Sequence, residues 1–150
     1  MLFHKLISTC LGIGYIGKGA GTVAAVACCI CWYLAWAGDY QPLPSVIVTV
    51  AITLVGIWSA NVVSKIWGDD PARVVIDEVA GMCISLLFIP VNVIYLLSAL
   101  ILFRFFDIAK PLFIKKLEQL PGGWGIMFDD ILAGIYANIV LQVVLWFKLF

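Results

Sequence analysis

The sequence predicts an all-α fold: a small polytopic bundle of membrane helices in one domain, residues 1–150, with a broken, re-entrant helical hairpin around Pro90 and Asn92. Composition is the first ground. Of 150 residues, 64% are apolar and only 12% charged, nine basic against nine acidic, whereas a soluble domain carries about a quarter charged residues. The second ground is spacing. Residues 20–37, 41–64, 79–103 and 131–147 hold no charged side chain, and each run is near the ~20 residues an α-helix needs to cross a bilayer. The third is Pro90 in the middle of the third run, because proline removes a helical hydrogen bond and favours a break.

Residues 1–9 are too short for the apolar region of a signal peptide and no small-residue cleavage site follows, so none is expected. The stretch "GIGYIGKG" (residues 12–19) overlays seven of eight positions of a nucleotide-binding P-loop. The eighth, whose hydroxyl holds magnesium, is Gly19. A chain of membrane helices also leaves nothing for the sheet such a loop needs, so an NTPase is excluded. Three of the five cysteines (Cys28, Cys29, Cys31) lie in the first apolar run, and none shows metal spacing, so disulfides and zinc are not expected.

Charges gather in islands between the runs: "KIWGDDPARVVIDE" (65–78), "RFFDIAKPLFIKKLE" (104–118) and "FDDI" (128–131). An unbroken span over 79–103 would put the first two on opposite faces. A reversal at Pro90-Val91-Asn92 puts all three on one face, with a first limb of only about 18 Å at 1.5 Å per residue. Lys5, Lys18, Lys65, Arg73, Arg104, Lys110, Lys115 and Lys116 then share that face and leave Lys148 at the far end. The bias of basic residues toward the inner leaflet makes the shared face cytoplasmic.

Ionisable residues at membrane boundaries are functional candidates. Asp77 and Glu78 open an apolar helix; one acid suffices to complement a helix dipole, so the pair is read as functional. Arg104, Asp107 and Lys110 recur every three residues before Pro111, a cation–anion–cation strip. It is either an internal salt-bridge strip or, in the preferred reading, two cations that grip a phosphate while the acid serves a metal. "GGWG" (122–125) leads into Asp129 and Asp130; one of these is expected to cap the last helix and the other to face a shared metal. Asp70, before Pro71, is a further candidate ligand, although Asp-Pro also marks a turn. Hard carboxylates beside Arg and Lys suit Mg²⁺ and a phosphorylated ligand, and no nucleic-acid partner is expected. Trp32, Trp36, Trp67, Trp124 and Trp146 read as interfacial anchors.

Three motifs in this order, "DPARVVIDEVAGM" (70–82), "FRFFDIAKPLFI" (103–114) and "GGWGIMFDDILAG" (122–134), resemble the phosphatidylglycerophosphatase A family over most of the chain. The resemblance implies a Mg²⁺-dependent lipid phosphatase of the bacterial inner membrane that converts phosphatidylglycerol phosphate to phosphatidylglycerol. It carries acidic roles to Asp70, Asp77, Glu78, Asp107, Asp129 and Asp130, and basic ones to Arg104 and Lys110. The expected catalytic set is Asp77, Glu78, Asp107 and Asp130; the expected metal ligands are Asp77, Glu78, Asp129, Asp130 and Asp70, with Asp107 beside them. Where the family has a Pro-Gly-Thr-x-Gly-Ser-like stretch, this chain has "GKGAGT" (17–22), which keeps one hydroxyl, so Lys18 and Thr22 are read as a phosphate-approach loop at a helix N-terminus. The attacking group is either a metal-activated water or an aspartate that forms an acyl-phosphate; with no Asp-x-Asp signature and no Cys, His or Ser placed to attack, water oriented by Asp77 or Glu78 is the favoured choice.

Two other classes compete. A CDP-alcohol phosphotransferase-like lipid enzyme would use Asp70-Pro-Ala-Arg73, but Ser85 and Ile89 stand where it wants further acids. A small ion-coupled transporter or assembly subunit would spread its acids along the spans, and these cluster at one boundary.

Overall fold

The computed structural model describes residues 1–68 and 71–150. Among them are seven α-helices, one short 3-10 turn at Ile13–Ile16 and no strand. The helices are α1 Leu2–Ser8, α2 Ala20–Trp36, α3 Pro42–Trp67, α4 Ile76–Leu86, α5 Val93–Ala109, α6 Ile114–Leu117 and α7 Gly122–Trp146. α3 and α7 are long and apolar enough to cross a membrane. The surface fits that reading. Large apolar side chains point outward from four helices, among them Leu34 on α2, Leu54 on α3, Ile101 on α5 and Ile139 on α7. A soluble protein rarely leaves so extensive an apolar surface open.

The third apolar run is two limbs. α4 stops at Leu86 and α5 starts at Val93, where Asn92 Oδ1 accepts the Tyr95 N–H at 3.0 Å and caps the new helix. Arg104, late in α5, lies 3.9 Å from Glu78 at the start of α4, so the chain has reversed at the expected place. α4 has 11 residues, about 16 Å of helix against a hydrocarbon core of about 30 Å. A limb this short is tolerated only when protein covers it, and no residue of α4 is exposed.

Ending a helix at that depth leaves carbonyls that water does not reach. Asn138 of α7 answers for them: its Nδ2 lies 3.1 Å from the carbonyl oxygens of Ile84 and Ser85 and 2.8 Å from that of Leu87. The Phe88 N–H donates to the Tyr40 hydroxyl at 2.8 Å. Asn138→Leu keeps the branching and the number of heavy atoms and deletes these bonds, so it is expected to destabilise the protein by about 1–3 kcal/mol, read as a lower thermal midpoint in detergent. An unchanged midpoint would show that the end of α4 has other partners.

α7 is the hub of the bundle, packed on α3, α4 and α5. It runs parallel to α4, since Gly81 meets Asp130 and Gly134 while Ser85 meets Gly134 and Asn138. A Cβ on Gly134 would overlap the Gly81 carbonyl, and a Cβ on Gly81 would stand 2.6 Å from the Asp130 carbonyl oxygen. Backbones this close require small residues at the crossing.

Two expectations are corrected. The last helix begins at Gly122 with Pro121 before it, so neither Asp129 nor Asp130 is an N-cap; both lie two turns inside. The helix opens on glycines because α3 presses on its first turn: a Cβ on Gly123 would stand 2.7 Å from the Ile57 carbonyl oxygen. Asn61 Oδ1 of α3 also accepts the Gly123 N–H at 2.7 Å. Trp32 is no interfacial anchor; it is buried with Cys28, Cys29, Met82 and Cys83 in the main core. The helix α1, for which the sequence reading had no signal, lies along α3 through His4 Nδ1 and Ser59 Oγ, 3.1 Å apart.

Candidate active site: carboxylates at one end of the bundle

The crossing of α4 and α7 places an acid one turn before each close-packed glycine: Asp77 before Gly81, Asp130 before Gly134. The close approach that the glycines permit therefore brings the two carboxylates together. Asp77, Asp129 and Asp130 can each offer an oxygen within 4.8 Å of the others, and so can Glu78, Asp107 and Asp130. Asp130 belongs to both triads. Asp77 is 7%, Asp129 5% and Asp130 2% exposed. Buried carboxylates are costly unless paired or bound to a metal.

α5 delivers the cations. Arg104 bonds Asp107 and lies 3.9 Å from Glu78. Lys110 ends α5 in the left-handed conformation, φ 49°, and its Nζ reaches Asp129 Oδ2 at 3.0 Å and Glu118 Oε1 at 3.1 Å. Partial burial pulls the Lys110 pKa down, but the hydrogen bonds and opposite charges of Asp129 and then Glu118 outweigh it and hold it above the ordinary lysine value. A raised pKa means its pairing contributes in full below the unfolded lysine value, about 10.4, and fades only as pH climbs through the folded value. Both cations of the strip Arg104–Asp107–Lys110 are thus engaged with acids. Glu118 was not singled out in the sequence; its spacing eight residues after Lys110, across the α6 turn, was the available signal.

Three buried carboxylate oxygens, Asp77 Oδ1, Glu78 Oε2 and Asp130 Oδ2, have no hydrogen-bond partner among the described residues, and neither has Arg104 Nε. Buried oxygens without partners, on carboxylates gathered this closely, fit hard divalent cations. Among the described residues, neither Cys10 nor His4 is a ready nucleophile. Burial, then the charge of Glu78, pushes the Cys10 thiol up to about 12, so it stays protonated, and His4 is on α1 against α3.

The "GKGAGT" loop enters through its glycine. α2 starts at Ala20, and a Cβ on Gly21 would overlap the Glu78 carboxylate. Lys18 and Thr22 on either side are exposed. Gly21→Ala is expected to displace Glu78, a flexible side chain, and to cut turnover about tenfold or more with little change in melting temperature. Wild-type turnover would mean that Glu78 is free to move. Asp70 lies outside the described residues.

The model of the phosphatidylglycerophosphatase A family matches residues 6–145. The chain belongs to the phosphatidylglycerophosphatase A family. Membership makes it a membrane phosphatase, as the three motifs implied, and sets aside the transferase and transporter classes. A Bacteroides thetaiotaomicron protein with the provisional name phosphatidylinositol-3-phosphatase is 40% identical over 149 residues, covering 94% of this chain and 92% of that protein. Phosphatidylglycerophosphatase A of Escherichia coli is 32% identical over 139 residues, 91% of this chain and 80% of its own. That of Haemophilus influenzae is 45% identical over 82 residues, 53% of this chain and 50% of its own. No solved structure matches the chain.

Proposed function

We propose that the carboxylate cluster is the active site of a Mg²⁺-dependent phosphatase that hydrolyses phosphatidylglycerol phosphate to phosphatidylglycerol and inorganic phosphate, in phospholipid biosynthesis. The observation that carries this reading is the gathering of five carboxylates at the crossing of α4 and α7, three of them with a buried oxygen that has no partner among the described residues. The protein is a multi-pass protein of the bacterial inner membrane, and the end of the bundle that holds the site, with Lys5, Lys18, Lys65, Arg73, Lys115 and Lys116, faces the cytoplasm.

Mg²⁺ would be held by Asp77, Glu78, Asp129 and Asp130 with Asp107 beside them, and Asp70 is a further candidate; when bound it polarises phosphate oxygens and acidifies water. The chain's own residues do the rest. Arg104, fixed through Asp107, has its Nε free to donate to a phosphate oxygen as negative charge grows on the breaking ester bond. Lys110 orients Asp129 and adds positive charge on that side. Lys18 and Thr22, on the open rim at the start of α2, meet the incoming phosphate first. One carboxylate of the Asp77–Glu78 pair takes a proton from the attacking water; the water oxygen bonds to phosphorus, the ester bond breaks, and the lipid alkoxide leaves with that proton, returned by the same carboxyl group. Single turnover in ¹⁸O-labelled water is expected to label the released phosphate alone. Label in an aspartate would mean a covalent acyl-phosphate instead.

A second reading, phosphatidylinositol 3-phosphate as substrate, has one observation behind it: the name of the relative that is 40% identical along nearly its whole length. Phosphate release from detergent-dispersed phosphatidylglycerol phosphate and phosphatidylinositol 3-phosphate, compared by kcat/KM, separates the two. A clear preference for the inositol lipid would replace the first reading. Release from neither would overturn both.

A further inference from the structure

We infer that this centre takes two divalent cations, with Asp130 shared between them. The inference rests on the reading of the cluster as a metal site and adds the number of ions and the division of ligands. The five carboxylates divide into two triads rather than one set of five: Asp77, Asp129 and Asp130 form one, Glu78, Asp107 and Asp130 the other. Each triad carries its own cation, Lys110 on Asp129 and Arg104 on Glu78 and Asp107.

The orphaned oxygens divide in the same way. Asp77 Oδ1 belongs to the first triad, Glu78 Oε2 to the second, and Asp130 Oδ2 to the acid they share. Asp77 and Asp130 are both more than nine-tenths buried, so bulk water does not serve these atoms. A carboxylate has two oxygens and about four lone-pair sites. One oxygen per ion is what a bridging carboxylate offers, and Asp130 is the acid within reach of both sets.

Charge decides between one ion and two. Taken as ionised, the five acids and Glu118 outweigh Arg104 and Lys110 by four negative charges. One divalent cation leaves half of that excess, and a phosphomonoester would have to enter against it. Two cations cancel it. A pair of ions also suits the reaction, because such sites clamp the attacking and the leaving oxygen of an in-line displacement.

The test is Mn²⁺ binding to the purified full-length protein in detergent, by equilibrium dialysis with electron paramagnetic resonance of the saturated sample. Two Mn²⁺ per chain are expected, with a spin-coupled signal in place of the isolated six-line spectrum. Asp107→Asn and Asp129→Asn each alter one triad and are expected to leave one ion with an uncoupled spectrum; Asp130→Asn is expected to abolish the coupling. A single Mn²⁺ per chain at saturation with an uncoupled spectrum, or none, overturns the proposal. If Asp130→Asn does not fold, the other two variants and the wild-type stoichiometry decide alone. Two coupled ions in a protein that releases phosphate from neither lipid would leave the centre standing and remove the phosphatase assignment from it.

Discussion

Asp130→Asn is expected to abolish phosphate release while the protein inserts, folds and melts no lower than the wild type in metal-free buffer. The two halves of this result have one cause. Asp130 is 2% exposed, its Oδ2 has no partner among the described residues, and it stands within reach of four other carboxylates. Without a cation such a group is a burden on the fold, so an isosteric neutral amide relieves it. With a cation it is a ligand, and its loss removes function. Replacing even outer-shell partners of metal ligands typically lowers affinity or activity 10–100-fold, so the loss here is expected to exceed about a hundredfold. Asp77→Asn is expected to behave likewise, as its Oδ1 is also orphaned. Phosphate release and a thermal melt on the same samples check both halves. Full activity in both variants would reduce these acids to a packing role.

Gly134→Leu is expected to break the molecule rather than the chemistry. A Cβ at that position already overlaps the Gly81 carbonyl, which is backbone and has nowhere to move. Even modest overpacking of a filled core costs about 1–3 kcal/mol, and a branched side chain wedged between α4 and α7 exceeds that. The wedge also pulls Asp77 away from Asp130, so activity falls together with stability. Gly81→Ala is the milder case, because part of its clash is with the Phe103 ring. Yield in detergent and the melting midpoint check this pair. A Gly134→Leu protein with a wild-type midpoint would mean that the helices do not cross where described. The contrast with Gly21→Ala, whose neighbour is the end of the Glu78 side chain, separates a site effect from a fold effect.

The parts legible in the sequence were those set by local chemistry. Pro90 cannot continue a helix and Asn92 caps one, so the reversal could be read directly. The charge islands could be grouped because burying charge is costly everywhere along a membrane chain. What escaped was set by contacts between distant segments. Gly122 and Gly123 have loop-like composition, and only the pressure of α3 shows why a helix there needs them. Trp32 has the composition of an anchor and the surroundings of a core. Arg104 and Lys110 looked available to a phosphate, whereas each is also holding a carboxylate in place. Two signals were present and passed unread. Asp-x-x-x-Gly recurs at Asp77–Gly81 and Asp130–Gly134, and Asn138 is a buriable amide, four residues before Gln142, in an otherwise apolar run.

We propose that this cluster binds Mg²⁺ and hydrolyses a lipid phosphomonoester. This is tested most directly by inorganic phosphate release from phosphatidylglycerol phosphate, with the purified wild type and Asp130→Asn assayed side by side, first in EDTA and then with Mg²⁺ restored. Release by the wild type is expected to stop in EDTA and return with Mg²⁺, and none is expected from Asp130→Asn in either condition. Release that persists in EDTA, or that Asp130→Asn carries out at the wild-type rate, would contradict it.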